Sequence, residues 1–260
     1  MERKTVMVTG ATAGIGEATA RLFAEEGYNV IITGRRHRRL DAVKLELERD
    51  HGVKVLALGF DVRNQNQVEA ALGSLPEEFR KIDILVNNAG LASGLEHVDK
   101  GDTRDWEAMI DTNIKGLLYV TRKVAAGMVE RREGHIINIG SIAGTQPYEN
   151  GAVYCATKHA VHALSQGMRI DFLQSGIKVT EIRPGMVETE FSVVRFHGDS
   201  DRAEKVYEGV FPLTADDVAD AVYWAATQPT HVNIDEIVMT SIQQANSYYT
   251  YRLEVQKKKK

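Results

Sequence analysis

The sequence predicts an α/β fold in which a parallel sheet of about seven strands is doubly wound, with helices on both faces. Short β-rich segments alternate with longer segments of helical periodicity from residue 5 to about residue 240. Several β-rich segments are apolar at every position, as strands buried on both faces are. No Pro/Gly/Ser-rich linker interrupts the alternation, so we expect one domain over residues 1–247, followed by a tail over 248–260.

The predicted elements follow one another in a regular order. Strands are expected near residues 5–9, 29–33, 54–60, 82–86, 135–139, 178–182 and 236–239, and helices near residues 15–26, 38–50, 64–73, 102–130, 153–175 and 215–227. The segment 185–211 breaks the alternation with polar, charged and scattered aromatic residues. Long loops of this kind often bind ligands, so we expect a substrate loop with short helices there.

The bulk composition narrows the possible partners and location. The net charge of -4 and the pI of about 6.1 argue against nucleic acid as a main partner. No apolar run is long enough to span a membrane, and we expect no signal peptide, because Met1-Glu2-Arg3-Lys4 leads directly into the first strand. With one cysteine, Cys155, and no metal-binding spacing, we expect a cytoplasmic protein without a metal. Cys155 is expected to pack, and Lys257–Lys260 to form a solvated tail.

The first strand ends in a glycine-rich turn, Thr9-Gly10-Ala11-Thr12-Ala13-Gly14-Ile15-Gly16. Glycine lets the backbone turn sharply, and the amides at the start of the next helix face an anion. A strand before the turn and a helix after it favour a dinucleotide-phosphate site over a turn without a ligand. The fourth strand ends in Asn87-Asn88-Ala89-Gly90, which suits a tight turn against a ribose but is also ordinary turn chemistry.

The end of the second strand indicates which dinucleotide is bound. NAD-binding proteins place an acid about twenty residues after the glycines, where it holds the ribose 2′-hydroxyl. Here Arg35 and Arg36 stand at that point and suit a 2′-phosphate, so the sequence predicts NADP rather than NAD. Arg38 and Arg39 are interpreted as a solvated helix start. Asp61, after the third strand, is expected to bind the adenine amino group or to cap the next helix.

Ser141, Tyr154 and Lys158 predict the chemistry. Tyr154 and Lys158 are four residues apart, so one helical face carries both, and Ser141 follows the strand predicted at 135–139. A nearby cation favours the phenolate, and lowering a tyrosine pKa from about 10 to about 7 takes roughly 4 kcal/mol. Such a pair can move a proton on or off an alcohol oxygen.

Taken together, the motifs resemble the short-chain dehydrogenase/reductase family. The matches, in family order, are Thr9-Gly10-x-x-x-Gly14-x-Gly16, Asn87-Asn88-Ala89-Gly90, Asn113, Ser141, Tyr154-x-x-x-Lys158 and Pro184-Gly185-x-x-x-Thr189. The resemblance covers residues 5 to about 240 and implies a Rossmann-type fold. Within the family the chain looks most like the bacterial NADP-dependent 3-hydroxy acid dehydrogenases, which oxidise serine-like hydroxy acids and reduce malonic semialdehyde.

The resemblance also implies roles for individual residues. Tyr154 is the general acid/base, Lys158 lowers its pKa and holds the nicotinamide ribose, and Ser141 donates to the substrate oxygen. Asn113 binds a water leading to Lys158, and because asparagine is a poor interior helix former we expect local distortion there. The cofactor is expected to contact Gly10, Thr12, Ala13, Gly14, Ile15, Gly16, Arg35, Arg36, Asp61, Val62, Asn88, Ala89, Gly90, Tyr154, Lys158, Pro184, Gly185, Val187 and Thr189.

The substrate and the assembly are less closely defined by the sequence. A small hydroxy acid brings a carboxylate, for which Arg195 and Gln146 are the candidate ligands, beside Ser141 and Tyr154. An NADP-dependent reductase of a bulkier carbonyl, such as a sugar, a pterin or an acyl thioester, is an alternative, as is a non-catalytic NADP-binding regulator. Family analogy suggests a homotetramer packed through the helices at 102–130 and 153–175.

Overall fold

The computed structural model describes residues 3–254 and contains one parallel sheet. Its strands are β1 (Thr5–Thr9), β2 (Asn29–Gly34), β3 (Val55–Gly59), β4 (Ile84–Asn87), β5 (His135–Ile139), β6 (Lys178–Pro184) and β7 (Glu236–Met239). The strand order is β3-β2-β1-β4-β5-β6-β7, which confirms the predicted fold. The order reverses between β1 and β4, and ligands of such sheets bind at that point, beyond the carboxyl ends of the strands.

The helices cover both faces of the sheet. They are α1 (Gly14–Glu25), α2 (His37–His51), α3 (Gln65–Gly73), α4 (Thr103–Ile110), α5 (Leu117–Arg131), α6 (Ala152–Asp171), α7 (Phe191–Arg195), α8 (Ser200–Lys205) and α9 (Ala215–Ala226). The short helices α7 and α8 lie in the predicted loop at 185–211. Within residues 3–254, the helices are too short or too polar to cross a membrane.

The core is split into two apolar layers because successive side chains of a strand point to opposite faces. On β1, Val6 and Val8 join a cluster with α1, α2 and α9, whereas Met7 joins a cluster with α3, α5 and α6. All three side chains are fully buried. Each such side chain contributes about 1.5–3 kcal/mol through burial, which explains why these strands are apolar throughout.

A buried hydrogen-bond network fixes α6, the helix of the predicted catalytic pair. Asn87 Nδ2 donates to Asn138 Oδ1 at 2.9 Å, and Asn138 Nδ2 donates to Ser165 Oγ of α6 at 2.9 Å. Asn87 also donates to Thr121 of α5 at 2.8 Å. Buried polar groups linked in this way specify one arrangement of the two helices against β4 and β5.

The helix predicted over 102–130 is interrupted in the structure. A π-helical segment, Asp111–Gly116, joins α4 to α5 and contains Asn113. The distortion expected at Asn113 is therefore confirmed. π-Helical turns are frequent at functional sites, because the extra residue redirects a side chain.

The carboxyl-terminal part of the described chain folds back on the domain. Tyr251 N donates to Gln243 O at 2.8 Å, and Leu253 N donates to Gly209 O at 2.8 Å. Segment 248–254, predicted as part of a tail, thus contacts the loop before α9. The solvated tail predicted at Lys257–Lys260 lies outside the described residues.

Candidate active site

A large cavity opens beyond the carboxyl ends of the central strands. Its volume is about 470 Å³, within the range usual for small-molecule sites. The predicted cofactor and catalytic residues that line it are Gly10, Thr12, Ala13, Gly14, Ile15, Arg35, Arg36, Asp61, Val62, Asn88, Ala89, Gly90, Ser141, Tyr154, Lys158, Pro184, Gly185, Val187 and Thr189. Motifs spread over 180 residues of sequence thus meet in one place.

The glycine-rich turn is held by Asn88, at the end of β4. Its Nδ2 donates to Thr9 O at 2.9 Å and to Gly10 O at 3.2 Å. A Cβ at position 16 would lie 2.3 Å from that nitrogen and 2.5 Å from Gly10 O. Gly16 is buried below the turn and does not line the cavity, so its effect is to allow this close approach. Gly10 has a φ of +68°, a region that glycine adopts without strain.

The two predicted phosphate-binding arginines differ in their surroundings. Arg36 donates to Thr12 Oγ1 from Nε at 3.0 Å and from Nη2 at 2.7 Å. Its Nη1 donates to Glu190 at 2.7 Å, and Arg39 donates to the same carboxylate at 2.7 Å. Arg35 is exposed and lines the cavity. Arg39 is exposed in the first turn of α2, as predicted, and the loop after β6 also brings a carboxylate to it.

Asp61 lines the cavity and does not cap the next helix. Asn64 caps α3 by accepting from Gln67 N at 3.1 Å. The Asp61 carboxylate instead accepts from Arg63 Nη2 at 2.6 Å. Burial by itself raises the pKa of Asp61, but the hydrogen bonds and charge of Arg63 lower it overall. An ionised acceptor is therefore present where the adenine amino group was predicted.

The predicted catalytic groups share one wall of the cavity. Tyr154 and Lys158 project from the same face of α6, and both are buried. Lys158 Nζ lies 6.0 Å from the Tyr154 ring centre and donates to Ile139 O, at the end of β5, at 2.8 Å. Ser141 follows β5, where its Oγ accepts from Ala143 N at 3.1 Å. The end of β5 thus positions both the ammonium and the hydroxyl.

The pKa of Tyr154 does not shift in the direction that its spacing from Lys158 predicts. Burial raises the pKa of Tyr154 above its usual value, and Tyr148 adds to the rise. The Ser141 hydroxyl and the Arg195 guanidinium act in the opposite direction. Burial lowers the pKa of Lys158 to about 8, against the stabilising charge of Glu181. The lowering of the Tyr154 pKa expected from Lys158 is not present here, because burial outweighs the nearby positive charge.

Asn113 lies next to the catalytic pair and is fully engaged with protein groups. Its Nδ2 donates to Leu91 O at 2.8 Å and to Thr157 Oγ1 at 3.0 Å, and its Oδ1 accepts from Leu91 N at 2.9 Å. It is buried and ties the segment after β4 to α6. These contacts give Asn113 a positioning role, and its water-binding role stays a prediction.

The two predicted carboxylate ligands lie in different places. Arg195, at the end of α7, stacks over the rings of Tyr148 and Tyr154, with its Cζ 5.5 and 5.6 Å from the two ring centres. Gln146 does not line the cavity, and its Oε1 accepts from Ser247 N at 3.1 Å. The structure therefore brings Arg195, but not Gln146, to the phenol.

Several residues near the site were not found from the sequence. Phe191 and Val194 of α7 and Glu190 before it line the cavity, although no spacing signal distinguishes them. His162, Glu181 and Glu236 lie close enough for a metal ion, with their ligand atoms within 4.8 Å of one another. No metal was predicted, because these three residues are far apart in sequence. His162 Nδ1 is already hydrogen-bonded to Glu181 at 2.6 Å.

Comparison with known proteins assigns the chain to a family. The family described as short chain dehydrogenase matches residues 4–199. The NADP-dependent 3-hydroxy acid dehydrogenase of Salmonella typhi is 54% identical over 241 residues, covering 92% of this chain and 96% of the relative. The serine 3-dehydrogenase of Agrobacterium fabrum is 44% identical over 242 residues, covering 93% and 95%.

A solved structure agrees with these sequence matches. The closed form of a serine dehydrogenase complexed with NADP⁺ superposes with a TM-score of 0.90 at 49% identity, covering 96% of this chain and 100% of that one. The glycine-rich turn and the Ser141, Tyr154 and Lys158 group lie within residues 4–199, the range that the family matches. From this agreement of fold, site and sequence, the chain belongs to the short-chain dehydrogenase family.

Proposed function

We propose that this protein is an oxidoreductase that transfers a hydride between NADP and the alcohol or carbonyl of a short 3-hydroxy acid, such as serine, 3-hydroxypropionate or malonic semialdehyde. The observation that carries the proposal is the convergence of Ser141, Tyr154 and Lys158 on the wall of one dinucleotide-sized cavity. Relatives at 44–54% identity over more than nine-tenths of the chain are 3-hydroxy acid and serine dehydrogenases, which supports the substrate class.

The residues around the cavity fit NADP. Glycine at position 16 leaves room for the turn to approach a pyrophosphate, because a Cβ there would clash with Asn88 and Gly10. Arg35 and Arg36 lie at the end of β2, beside Thr12, and offer guanidinium groups to a 2′-phosphate. Asp61 offers an ionised acceptor to the adenine amino group. Lys158 lines the same cavity, and in this proposal it holds the nicotinamide ribose hydroxyls.

The side chains of the site manage the proton of the reaction. When bound, NADP supplies the hydride acceptor or donor. In oxidation, Tyr154 takes the proton of the substrate hydroxyl, while Ser141 donates a hydrogen bond to the same oxygen. In reduction, the Tyr154 phenol returns the proton, and its raised pKa keeps it protonated at neutral pH. The charges of Lys158 and Arg195 stabilise the Tyr154 phenolate, which accepts the proton in oxidation and is left behind when the phenol gives up its proton in reduction.

Arg195 is the proposed ligand of the substrate carboxylate. It stands 5.6 Å from the Tyr154 ring centre, close enough for a three-carbon acid to reach both groups. Its Nε donates to Gly94 O at 3.2 Å, which fixes the side chain, while its Nη2 is buried and has no hydrogen-bond partner within residues 3–254. A guanidinium with a donor to spare is well suited to a carboxylate.

A substrate panel tests the proposed function. Purified protein is mixed with NADP⁺ and L-serine, 3-hydroxypropionate, a sugar alcohol or a secondary alcohol without a carboxylate, and the absorbance of the reduced nicotinamide is followed. We expect turnover with the two hydroxy acids and at least tenfold lower kcat/KM with the others. Turnover of only the bulkier or uncharged alcohols would contradict the substrate class, and NADP binding without turnover of any alcohol would favour a regulator.

The assembly and cellular location are part of the same proposal. We propose a homotetramer that acts in the cytoplasm, as the family resemblance suggests. Large apolar side chains remain exposed on α5 and α6 of the single chain, among them Leu118, Val129 and Ile170. Light scattering coupled to size-exclusion chromatography distinguishes a tetramer from a dimer or monomer, and a monomer at micromolar concentration would contradict the proposed assembly.

A further inference from the structure

Glu181 is a fully buried carboxylate that the proton transfer described above does not use. It lies on β6 between Thr180 and Ile182, in a strand whose other buried side chains are neutral. Burying a charge is unfavourable unless hydrogen bonds or opposite charges compensate for it. The groups around Glu181 therefore indicate what its charge does.

The Glu181 carboxylate lies beside the end of β5, where the catalytic side chains are anchored. β5 and β6 are neighbouring parallel strands. A Cβ on Gly140 would overlap Glu181 Oε1, so the glycine allows the carboxylate to approach the backbone closely. Gly140 follows Ile139, whose backbone oxygen accepts from Lys158 Nζ at 2.8 Å. Ser141 comes next in the chain, so Glu181 packs against the segment that anchors the ammonium and leads to the hydroxyl.

His162 holds the Glu181 carboxylate in place. It stands four residues after Lys158, so both side chains project from one face of α6. His162 Nδ1 lies 2.6 Å from Glu181 Oε2, and Nδ1 is the donor because an ionised carboxylate only accepts. Such a hydrogen bond is stronger to an ionised acceptor than to a neutral one, so it favours the charged form of Glu181. One helical face therefore carries both the ammonium and the donor that favours the charged carboxylate.

Two further charged groups, Arg183 of β6 and Glu236 of β7, lie close to this pair. Glu236 Oε1 is 3.6 Å from His162 Nδ1, and Glu236 Oε2 accepts from Arg183 Nη2 at 2.7 Å. The Arg183 guanidinium offsets the charge of Glu236 and disfavours a metal ion at this cluster. Burial raises the pKa of Glu181 and Glu236 adds to the rise, whereas the hydrogen bond from His162 and the charges of His162 and Arg183 oppose it. His162 is the main group that favours the charged carboxylate.

The charge of Glu181 acts on Lys158 through space. Glu181 Oε1 accepts no hydrogen bond from the part of the chain that the structure describes, so nearby cations compensate its charge. Burial lowers the pKa of Lys158 to about 8, and the charge of Glu181 opposes that fall. Two other titratable groups share this wall of the cavity. They are Tyr154, whose raised pKa keeps it neutral, and Arg195, which stacks on the Tyr154 ring.

We propose that Glu181, held by His162, is a positioning residue that keeps Lys158 charged beside the catalytic tyrosine, an inference that rests on the proposed function. Glu181 does not line the cavity, so it acts on the reaction through Lys158. An amine with a pKa of 8 is about nine-tenths charged at pH 7, whereas one with a pKa of about 7 is only about half charged. Without the carboxylate, much of Lys158 would be neutral and would no longer stabilise the phenolate.

The charge of Lys158 is measured directly by nuclear magnetic resonance. Protein labelled with ¹³C at the lysine Cε atoms is titrated with base, and the Lys158 signal is identified by its loss in Lys158→Arg. Glu181→Gln removes the charge but keeps an acceptor for His162, so we expect the titration midpoint of Lys158 to fall by about one pH unit. Glu181→Asp keeps the charge and should restore the wild-type midpoint. Asp171→Asn, which removes an exposed acid at the end of α6, should leave it unchanged.

A pH profile separates this role from a merely structural one. Reduction of malonic semialdehyde by NADPH requires charged Lys158, so kcat falls on the alkaline side as Lys158 loses its proton. In Glu181→Gln the fall should begin about one pH unit lower, with kcat near the wild-type value at about pH 6 and about fivefold lower at about pH 8. A loss by the same factor at every pH, or an unchanged midpoint of Lys158, would overturn the proposal.

Two variants of His162 keep the proposal testable if Glu181→Gln does not fold. His162→Leu removes the donor, so Glu181 takes up a proton more readily and the midpoint of Lys158 should again fall. His162→Asn places an amide nitrogen near the position of Nδ1 and should keep the wild-type midpoint. Equal midpoints in His162→Leu and the wild type would contradict the proposal. The resonance measurement uses no substrate, so it decides the role of Glu181 even where absence of turnover shows that the proposed function is wrong.

Discussion

Arg36 and Glu190 are joined across the mouth of the cofactor cavity by a hydrogen bond of 2.7 Å between Nη1 and Oε2. Arg36 follows β2, and Glu190 precedes α7 in the loop after β6. Arg39 binds the same carboxylate at 2.7 Å. One carboxylate therefore links the arginines proposed for the 2′-phosphate to the loop that carries Arg195. The adenosine end and the substrate end of the site are connected through this loop.

The contacts of Arg36 and Arg39 with Glu190 predict that this carboxylate slows the opening of the loop after β6. In Glu190→Gln, the amides of Val194, Phe196 and Gly198, which donate within the loop, should exchange with solvent several-fold faster. The effect is modest because exposed ion pairs contribute about 0.2–1 kcal/mol. Hydrogen–deuterium exchange with mass spectrometry measures it. Glu188→Gln, at an exposed residue two positions earlier, serves as the control, and equal exchange in the two variants would contradict the link.

The assignment of NADP as the cofactor predicts that replacing Arg35 weakens the binding of NADP more than that of NAD. Arg35→Ala should weaken NADP binding about 10–100-fold, because a hydrogen bond to a charged group contributes about 1.5–3 kcal/mol. NAD binding should change less than threefold, since NAD has no 2′-phosphate. Fluorescence titration with NADPH and NADH measures both affinities. Arg38→Ala, with its exposed side chain on α2, is the control, and an equal loss for both dinucleotides would refute the assignment.

His135 predicts how stability changes in acid. It is buried on β5, where Nε2 lies 2.8 Å from Thr180 Oγ1, and burial lowers the pKa of His135 to about 3. Because the unfolded chain binds a proton below about pH 6.5 and the folded chain does not, the folded state loses stability as the pH falls from about 6.5 toward 3. The contribution is fully present above pH 6.5.

A pH series on one variant measures this effect. His135→Asn removes the titrating group, so the free energy of unfolding should fall less steeply in the variant, by about 1.4 kcal/mol per pH unit below pH 6. Urea denaturation at pH 7, 6, 5 and 4.5 provides the slopes. His159→Asn, at an exposed position of α6, is the matched control. Parallel slopes in the wild type and His135→Asn would show that His135 becomes protonated in the folded protein.

Much of the fold was predictable because the local pattern and the tertiary structure agree. Strands such as β1 and β7 are found at the predicted residues, since they are apolar or β-branched and bounded by turns. The catalytic group was predictable because its members occur at fixed spacings. A local distortion of the helix was expected at Asn113, because asparagine is a poor helix former. The exact bounds of the π-helical segment could not be predicted, because they depend on packing against α6.

The remaining features depend on contacts between distant residues. Glu190 meets Arg36 across 154 positions of sequence, so no local pattern announces the pair. Gln146 was a candidate ligand of the substrate carboxylate because it follows Ser141 closely in sequence. Its side chain instead contacts Ser247, because the carboxyl-terminal segment folds back on the domain. The rise of the Tyr154 pKa was missed for a related reason. Spacing shows which charges are near a phenol, whereas its burial is known only once the chain is folded.

The central claim is that Tyr154 transfers the proton during hydride transfer to or from NADP, and Tyr154→Phe tests it directly. Rates of NADP⁺ reduction by L-serine and affinities for NADPH are measured for the wild type and the variant at the same pH. We predict that kcat falls at least 100-fold, as expected for loss of a general acid/base, while the NADPH affinity changes less than threefold. A variant that binds NADPH normally and keeps the wild-type kcat would contradict the account.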